Sequence, residues 1–509
     1  MTGARLRPFI WTCALSLVAC RAGIGAQASD EVDASDLTGG LSREQLRDPE
    51  VCKDCHRDHY SEWSGSMHAY SAKDPVFVAM NKRGQRETHG KLGDFCIRCH
   101  APMAVVDHRS KDGLNLDPEK ERGVTCYFCH DTIGVDGDHN GMLRLANDTT
   151  MRGPIRDPRA PGAHRAEFAE AFDDASPKST AVCGGCHDIV TQAGVHLERT
   201  LQEYREGIFS KSATGAPPAF DSCVGCHMPG RPALAAATVP GAPLRLVHEH
   251  LWPGIDLPLT DFPHRDVLRS AVEDCQLGKS LYVTVEVTPP DLFSFQIETN
   301  AGHNQPSGAA QDRRMWLEVS AYDGEGRLLD GASSGRIADG EIEDRPPGDP
   351  RRDPRLLMFR DRIYDEQGKP VHMFWQAAMS LLHPSGYEST VLPAASTTYV
   401  QGKHVVLKQY RLARPNGAPP ARVTARLRIR PIGVDLLEDL VASGDLDPAL
   451  VTQMPTLTFS AQIDWTPADG WMKSIAAAAK ADCSKYRCLL DPGSDECKRG
   501  ALPIEPRKY

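Results

Sequence analysis

The chain has 509 residues, enough for two or three domains, and carries a formal charge of −10 with no strongly basic tract. That balance excludes a nucleic-acid surface and points instead to a basic patch on a protein partner. Aromatic residues are only 6% and mean hydropathy is −0.39, lean for a core of this size.

In chain order, Arg5 and Arg7 precede an apolar run from Phe9 to Ala19, which has the form of a signal peptide over 1–28. The run is too short to span a membrane, and no other long apolar stretch follows. Leu17-Val18-Ala19-Cys20 has the form of a bacterial lipoprotein box, with 1–19 removed and a lipid anchor on Cys20. The competing reading is cleavage after Ala26-Gln27-Ala28. Either way the protein is expected to be exported, in the periplasm or held at an outer membrane.

The segment 29–275 spells Cys-x-x-Cys-His five times: Cys52/Cys55/His56, Cys96/Cys99/His100, Cys126/Cys129/His130, Cys183/Cys186/His187 and Cys223/Cys226/His227. This pentapeptide attaches a c-type haem: two thiols add to one porphyrin, and the next histidine falls under the iron as proximal ligand. Zinc is the bland alternative, but zinc does not need a histidine at the same offset every time. Five covalent haems are therefore expected. Each buried macrocycle removes several hundred Å² of apolar surface from water, on the order of ten kcal/mol. The haems then form the core of this half, among short helices (Leu197 to Phe209, Ala166 to Phe172) and long Pro/Gly loops (Ala213 to Phe220, Pro229 to Pro243). Attachment outside the cytoplasm agrees with export.

Past Cys275 the pattern changes to period two: Leu281, Val283, Val285 and Val287; Met315, Leu317, Val319 and Ala321; Val423, Ala425, Leu427 and Ile429; Leu457, Phe459, Ala461 and Ile463. The expectation is an antiparallel β-sandwich-like domain over 276–466, with Glu341 to Arg355 as a surface loop. A Cys-containing tail, 467–509, holds a helix candidate at Met472 to Ala481. The fold class is thus α+β multidomain, a helical and loop-rich multihaem part followed by a β part. Cys275, Cys483, Cys488 and Cys497 remain outside the motifs and the N-terminal segment, allowing three pairings; at least one disulfide is expected after export.

Function turns on the second axial ligand of each iron. Two histidines suit electron transfer, whereas an empty position can bind a small molecule. Fourteen histidines lie outside the motifs. Cys-Lys-Asp-Cys-His followed by Trp-x-x-Ser-x-His-Ala, Gly123-Val124-Thr125 ahead of the third motif, the segment around His164, Cys-Val-Gly-Cys-His-Met-Pro at 223–229 before His250, and Ala-Gly-His-Asn-Gln-Pro-Ser-Gly at 301–308 form a set. Over about 50–320 the chain resembles the multihaem cytochromes c that include the tetrahaem cytochrome of ammonia oxidisers, related to hydroxylamine oxidoreductase. That resemblance implies His68, His164 and His250 as distal ligands, with His303 next, and leaves open which haem each serves.

His59, His89, His108, His139, His196, His248 and His264 are reserves, expected at the surface or in hydrogen bonds. His372, His383 and His404 belong to the β part, and Met103 and Met228 are read as packing. The second motif, His100, has the least obvious partner, with His108 in reach, and is the candidate for an open iron. Gly278-Lys279-Ser280 lacks the upstream glycine of a phosphate loop, and His248-Glu249-His250 is no zinc-protease motif. Three functions follow. The first is an electron carrier docking redox partner proteins. The second is a haem oxidoreductase acting on a small nitrogen or sulfur species. The third, resting on the β part alone, is a haem-bearing scaffold.

Overall fold

The computed structural model describes residues 40–117, 119–159, 162–210, 222–394, 404–414, 416–472, 474–476 and 481–490. The signal segment with Cys20, the 213–220 loop and Cys497 lie outside these. No helix among the described residues is long and apolar enough to cross a membrane.

Four of the motifs open or close a short helix, and the first spans the break between the helices Pro49–Lys53 and Arg57–Ser64. Thr125 and Ser222 stand one residue ahead of the first cysteine and cap the helices Cys126–His130 and Cys223–His227, accepting from Phe128 N and Gly225 N. A helix that starts there puts the cysteines at i and i+3 and the histidine at i+4 on one face. The helix Pro177–His187 ends on the fourth motif, and Ile97–His100 on the second. Between the helices lie two-stranded pairs, including Asp188–Val190 with His196–Arg199 and Gly230–Leu234 with Leu244–His248.

Three expectations in this half need correcting: the helix read over Leu197 to Phe209 spans only Thr200–Glu206, after a strand His196–Arg199 and before a 3-10 turn Ile208–Ser210. Ala166 to Phe172 is no helix but a strand, Arg165–Phe168, followed by a 3-10 turn, Glu170–Phe172. Its spaced apolar side chains Ala166, Ala171 and Phe172 line the cavity described below rather than one helical face. The Pro-rich stretch 229–243 likewise contains the strand Gly230–Leu234.

The second half forms two four-stranded antiparallel sheets. One orders Val405–Arg411, Leu292–Thr299, Leu281–Thr288 and Ser474–Ala476; the other orders Leu357–Phe359, Arg314–Tyr322, Arg422–Arg430 and Leu457–Trp465. Both send side chains into one hydrophobic cluster. Leu281, Val283, Val285 and Val287 are buried while Tyr282 is 46% exposed, so alternation sets the register as read.

The strand Arg314–Tyr322 is buried on both faces, which alternation alone did not foretell. The excursion read as a surface loop supplies the cover. Its Glu343 is buried and accepts from Arg430 Nη1 at 2.5 Å, while Trp316 donates to Gly335 O at 2.8 Å. The expected tail helix at 472–481 is also corrected: Ser474–Ala476 is a strand pairing with Thr284 to Glu286. Cys275 and Cys483 form a disulfide, and Cys488 is disulfide-bonded as well.

A charged cluster holds the helix Val434–Ala442 to the second sheet. Fully buried Arg314 donates to both oxygens of Asp435 at 2.7 and 2.9 Å, with Arg360 and His372 within 3.7 and 3.5 Å. Burial pushes the Asp435 carboxyl up, but Arg314, His372 and Arg360 outweigh it and hold it well below the usual carboxylate range. The stabilisation is therefore complete above the ordinary aspartate value and is lost as pH falls through the lower folded one. Asp435→Asn strips Arg314 of its counter-charge and is expected to cost about 3–5 kcal/mol at neutral pH. Denaturant midpoints at neutral and acid pH measure this, and an unchanged neutral midpoint contradicts it.

Candidate functional site

One continuous cavity of about 2470 Å³ runs through the first half, several times the roughly 300–1,000 Å³ of an ordinary ligand pocket. Nine of the ten motif cysteines are half-buried and Cys226 is exposed; all ten, with the five motif histidines, line the cavity. The rest of its wall is mainly apolar, with Val51, Trp63, Phe128, Leu201 and Trp252 among its lining residues. Such a space suits several flat hydrocarbon groups side by side.

The motif histidines are turned for ligation. His56 Nδ1 meets Ala235 O at 2.6 Å, His130 Nδ1 meets Arg152 O at 2.6 Å, and His227 Nδ1 meets Pro253 O at 2.9 Å. His100 Nδ1 lies 3.4 Å from Ser71 O. A ring that donates through Nδ1 presents the Nε2 lone pair to a metal. Burial pushes His100, His187 and His227 down to about 4, so all three are neutral at physiological pH.

Opposite these rings stand others. A bond from a metal ion to an imidazole nitrogen is about 2.0–2.1 Å, so two rings trans across one metal have centres about 6 Å apart. His56 and His164 are 6.2 Å apart, His130 and His250 6.2 Å, His187 and His68 6.3 Å, and His227 and His303 6.3 Å. The planes of three pairs lie within 18–29° of parallel; the His68 pair is tilted by 51°. The residues present therefore fit haems at four sites, each between two histidines. The four second rings are His164, His250, His68 and His303, the histidines that the family resemblance put forward.

The fifth ring differs. His100 lies parallel to Phe77, 4.3 Å between centres and 3° between planes, and no second imidazole pairs with it among the described residues. His108, held in reserve for it, is exposed in a left-handed turn and does not line the cavity. Nothing in the sequence marked Phe77, which sits on the cavity side of the helix Pro75–Glu87.

Among the other reserves, His59 and His248 reach the cavity wall. His59 meets the His250 ring edge-on at 4.8 Å, and His248 Nδ1 contacts Met228 O at 2.8 Å. His89, His139, His196 and His264 do not line the cavity. In the β part, His372 joins the Asp435 cluster and His383 stacks on Tyr364. Met103 is buried in packing, as read.

Carboxylates that the sequence did not flag brace the opposing rings. Glu62 Oε2 accepts from His250 N at 2.8 Å. Glu249, next to His250, accepts from Tyr486 OH at 2.5 Å and Arg487 Nε at 2.7 Å, so the tail helix Ser484–Leu490 touches this segment. Gly123, with φ of +70°, lets Val124 N donate to His68 O at 2.9 Å; a Cβ there would stand 2.1 Å from that oxygen. Gly123→Ala is expected to displace the His68 turn, visible as a change in the low-spin signal of the paired iron.

The motifs also touch one another. The Cys52 side chain lies beside Cys126 and Cys183 beside Cys223, and Cys99 Sγ stands 3.9 Å from Cys186 O. Cys129 is within electrostatic range of Cys183 and Cys186.

Residues 51–131, which hold the first three motifs, match the family described as cytochrome c554 and c-prime. Among solved structures the chain is similar to a penta-heme cytochrome c552 from Thermochromatium tepidum, with a TM-score of 0.54 and 21% identity over 84% of this chain and 100% of that one. A likeness at that identity speaks for the fold. No curated protein matches the chain. The repeated motif, the matched segment and the shared fold together support a multihaem c-type cytochrome with covalently bound haem.

Proposed function

We propose that this is an exported five-haem cytochrome that passes electrons along a branched array. The observation carrying this reading is the set of four imidazole pairs at 6.2–6.3 Å around one cavity. Haem supplies a one-electron iron couple. The chain's own residues supply axial nitrogens, exclude water and hold neighbouring sites close. Numbering sites by motif, their cysteines stand side by side between the first and third, the second and fourth, and the fourth and fifth, and the third lies near the fourth. In this reading His68, His164, His250 and His303 complete the fourth, first, third and fifth irons. Residues 1–19 direct export, with Cys20 as a lipid anchor, and the acidic surface meets a basic patch on a redox protein. The two sheets form a sandwich that donates His303, and kinship extends to the tetrahaem cytochrome of ammonia oxidisers.

The site of His100, which no second imidazole faces among the described residues, favours a second activity at one iron. The second site then has a vacant sixth position and takes a small nitrogen or sulfur species, as a haem oxidoreductase would. EPR of the oxidised protein tests both readings. Expected are one high-spin ferric signal, shifted by cyanide or nitrite, and two classes of low-spin signal from the near-parallel and tilted pairs. A wholly low-spin spectrum removes the second activity and leaves the carrier. Mass spectrometry of the mature protein, by counting haems and any acyl group, tests the number five and the anchor.

A further inference from the structure

We propose that Glu203 is the positioning residue that fixes His303 opposite His227, tying the axial ligation of the fifth iron to the contact between the two halves of the molecule. This rests on the reading of His303 as that iron's second ligand. Glu203 lies on the helix Thr200–Glu206, in the haem-bearing half, whereas His303 lies on a loop that precedes the strand Arg314–Tyr322. Glu203 is buried, and its Oε2 accepts from Asn304 N at 3.2 Å and Ser307 Oγ at 2.6 Å. Asn304 O in turn lies 2.9 Å from His303 Nδ1. The carboxylate therefore holds the residue whose carbonyl sets the rotation of the ring.

The other contacts of the loop complete the grip. Thr200 Oγ1 lies 2.9 Å from Ser307 Oγ and accepts from Gly308 N at 3.1 Å. Arg313 Nε donates to Ser307 O at 2.9 Å while Asp256 holds its guanidinium through two bonds of 3.0 Å. A ligand carried on a loop keeps its geometry to within about 0.5 Å only when its support is itself fixed. A buried carboxylate receiving two hydrogen bonds provides that, since charge-assisted bonds are the stronger kind. Glu62 repeats the device on His250 N from another helix, so the arrangement is not peculiar to one loop.

The test uses the full-length holoprotein with Glu203→Ala, Glu203→Gln and His303→Ala. His303→Ala should add one high-spin iron to the wild-type spectrum. Glu203→Ala should make that same iron partly high-spin, raise or broaden its potential, and respond to added imidazole by returning to low spin, with the other irons unchanged. Glu203→Gln, which keeps an acceptor, should restore most of the low-spin signal. If His303→Ala adds no high-spin iron, the ligand assignment falls. If it does but Glu203→Ala leaves spin state and potential as in the wild type, the positioning role falls alone. Should Glu203→Ala fail to fold, Ser307→Ala removes one of the two bonds and must shift the potential of the fifth iron only; an unshifted potential overturns the proposal.

Discussion

Removing the fourth haem attachment, by Cys183→Ala with Cys186→Ala, is expected to leave four haems and to slow electron exchange between the two ends of the molecule by orders of magnitude. Cys183 touches Cys223, Cys186 lies against Cys99, and Cys129 is close to both. In the proposed array the fourth site is thus the neighbour that the second, third and fifth sites share. Tunnelling rates fall exponentially with edge separation, so losing the shared neighbour costs far more than losing a terminal one. Flash reduction followed by multi-wavelength kinetics measures this, with mass spectrometry to confirm four haems. The same experiment at the first motif, Cys52→Ala with Cys55→Ala, should leave exchange among the remaining sites nearly unchanged. If both double variants behave alike, the branched order is wrong.

Breaking the Cys275–Cys483 disulfide should lower both stability and the order around one haem site. It closes a separation of 208 residues, and removing a native crosslink of this kind costs about 2–5 kcal/mol. It also tethers the helix whose Tyr486 and Arg487 hold Glu249 beside His250. Cys275→Ser with Cys483→Ser is therefore expected to lower the denaturant midpoint and, well before global unfolding, to raise the high-spin fraction at the iron between His130 and His250. An unchanged midpoint contradicts the first part. A midpoint that falls with no spin change contradicts the second.

Much of this was readable in the sequence, and the rest was hidden for definite reasons. The five pentapeptides declare themselves because attachment is local: thiols and proximal histidine share one helical turn. The strand Leu281–Thr288 is legible because one face is buried and the other faces water, and Arg422–Arg430 because its apolar residues alternate with polar ones. Distal partners are not local. His164 stands opposite His56 and His303 opposite His227 only because the fold crosses between segments, and no spacing rule encodes that. Phe77 was invisible because a phenyl ring on an amphipathic helix reads as ordinary core. The stretch 166–172 misled because its apolar residues answer to a cavity rather than to a helix face. Glu343 misled in the opposite sense: a charged, proline-rich run looked solvated, yet its carboxylate neutralises buried Arg430.

The separation of local attachment from remote completion has a consequence for how the molecule can be watched. Pigment is fixed to the chain by bonds that survive unfolding, whereas the opposing imidazoles arrive only with native tertiary structure. Each such iron is then its own gauge of local order, and the visible spectrum becomes a site-by-site thermometer of melting that requires no added label.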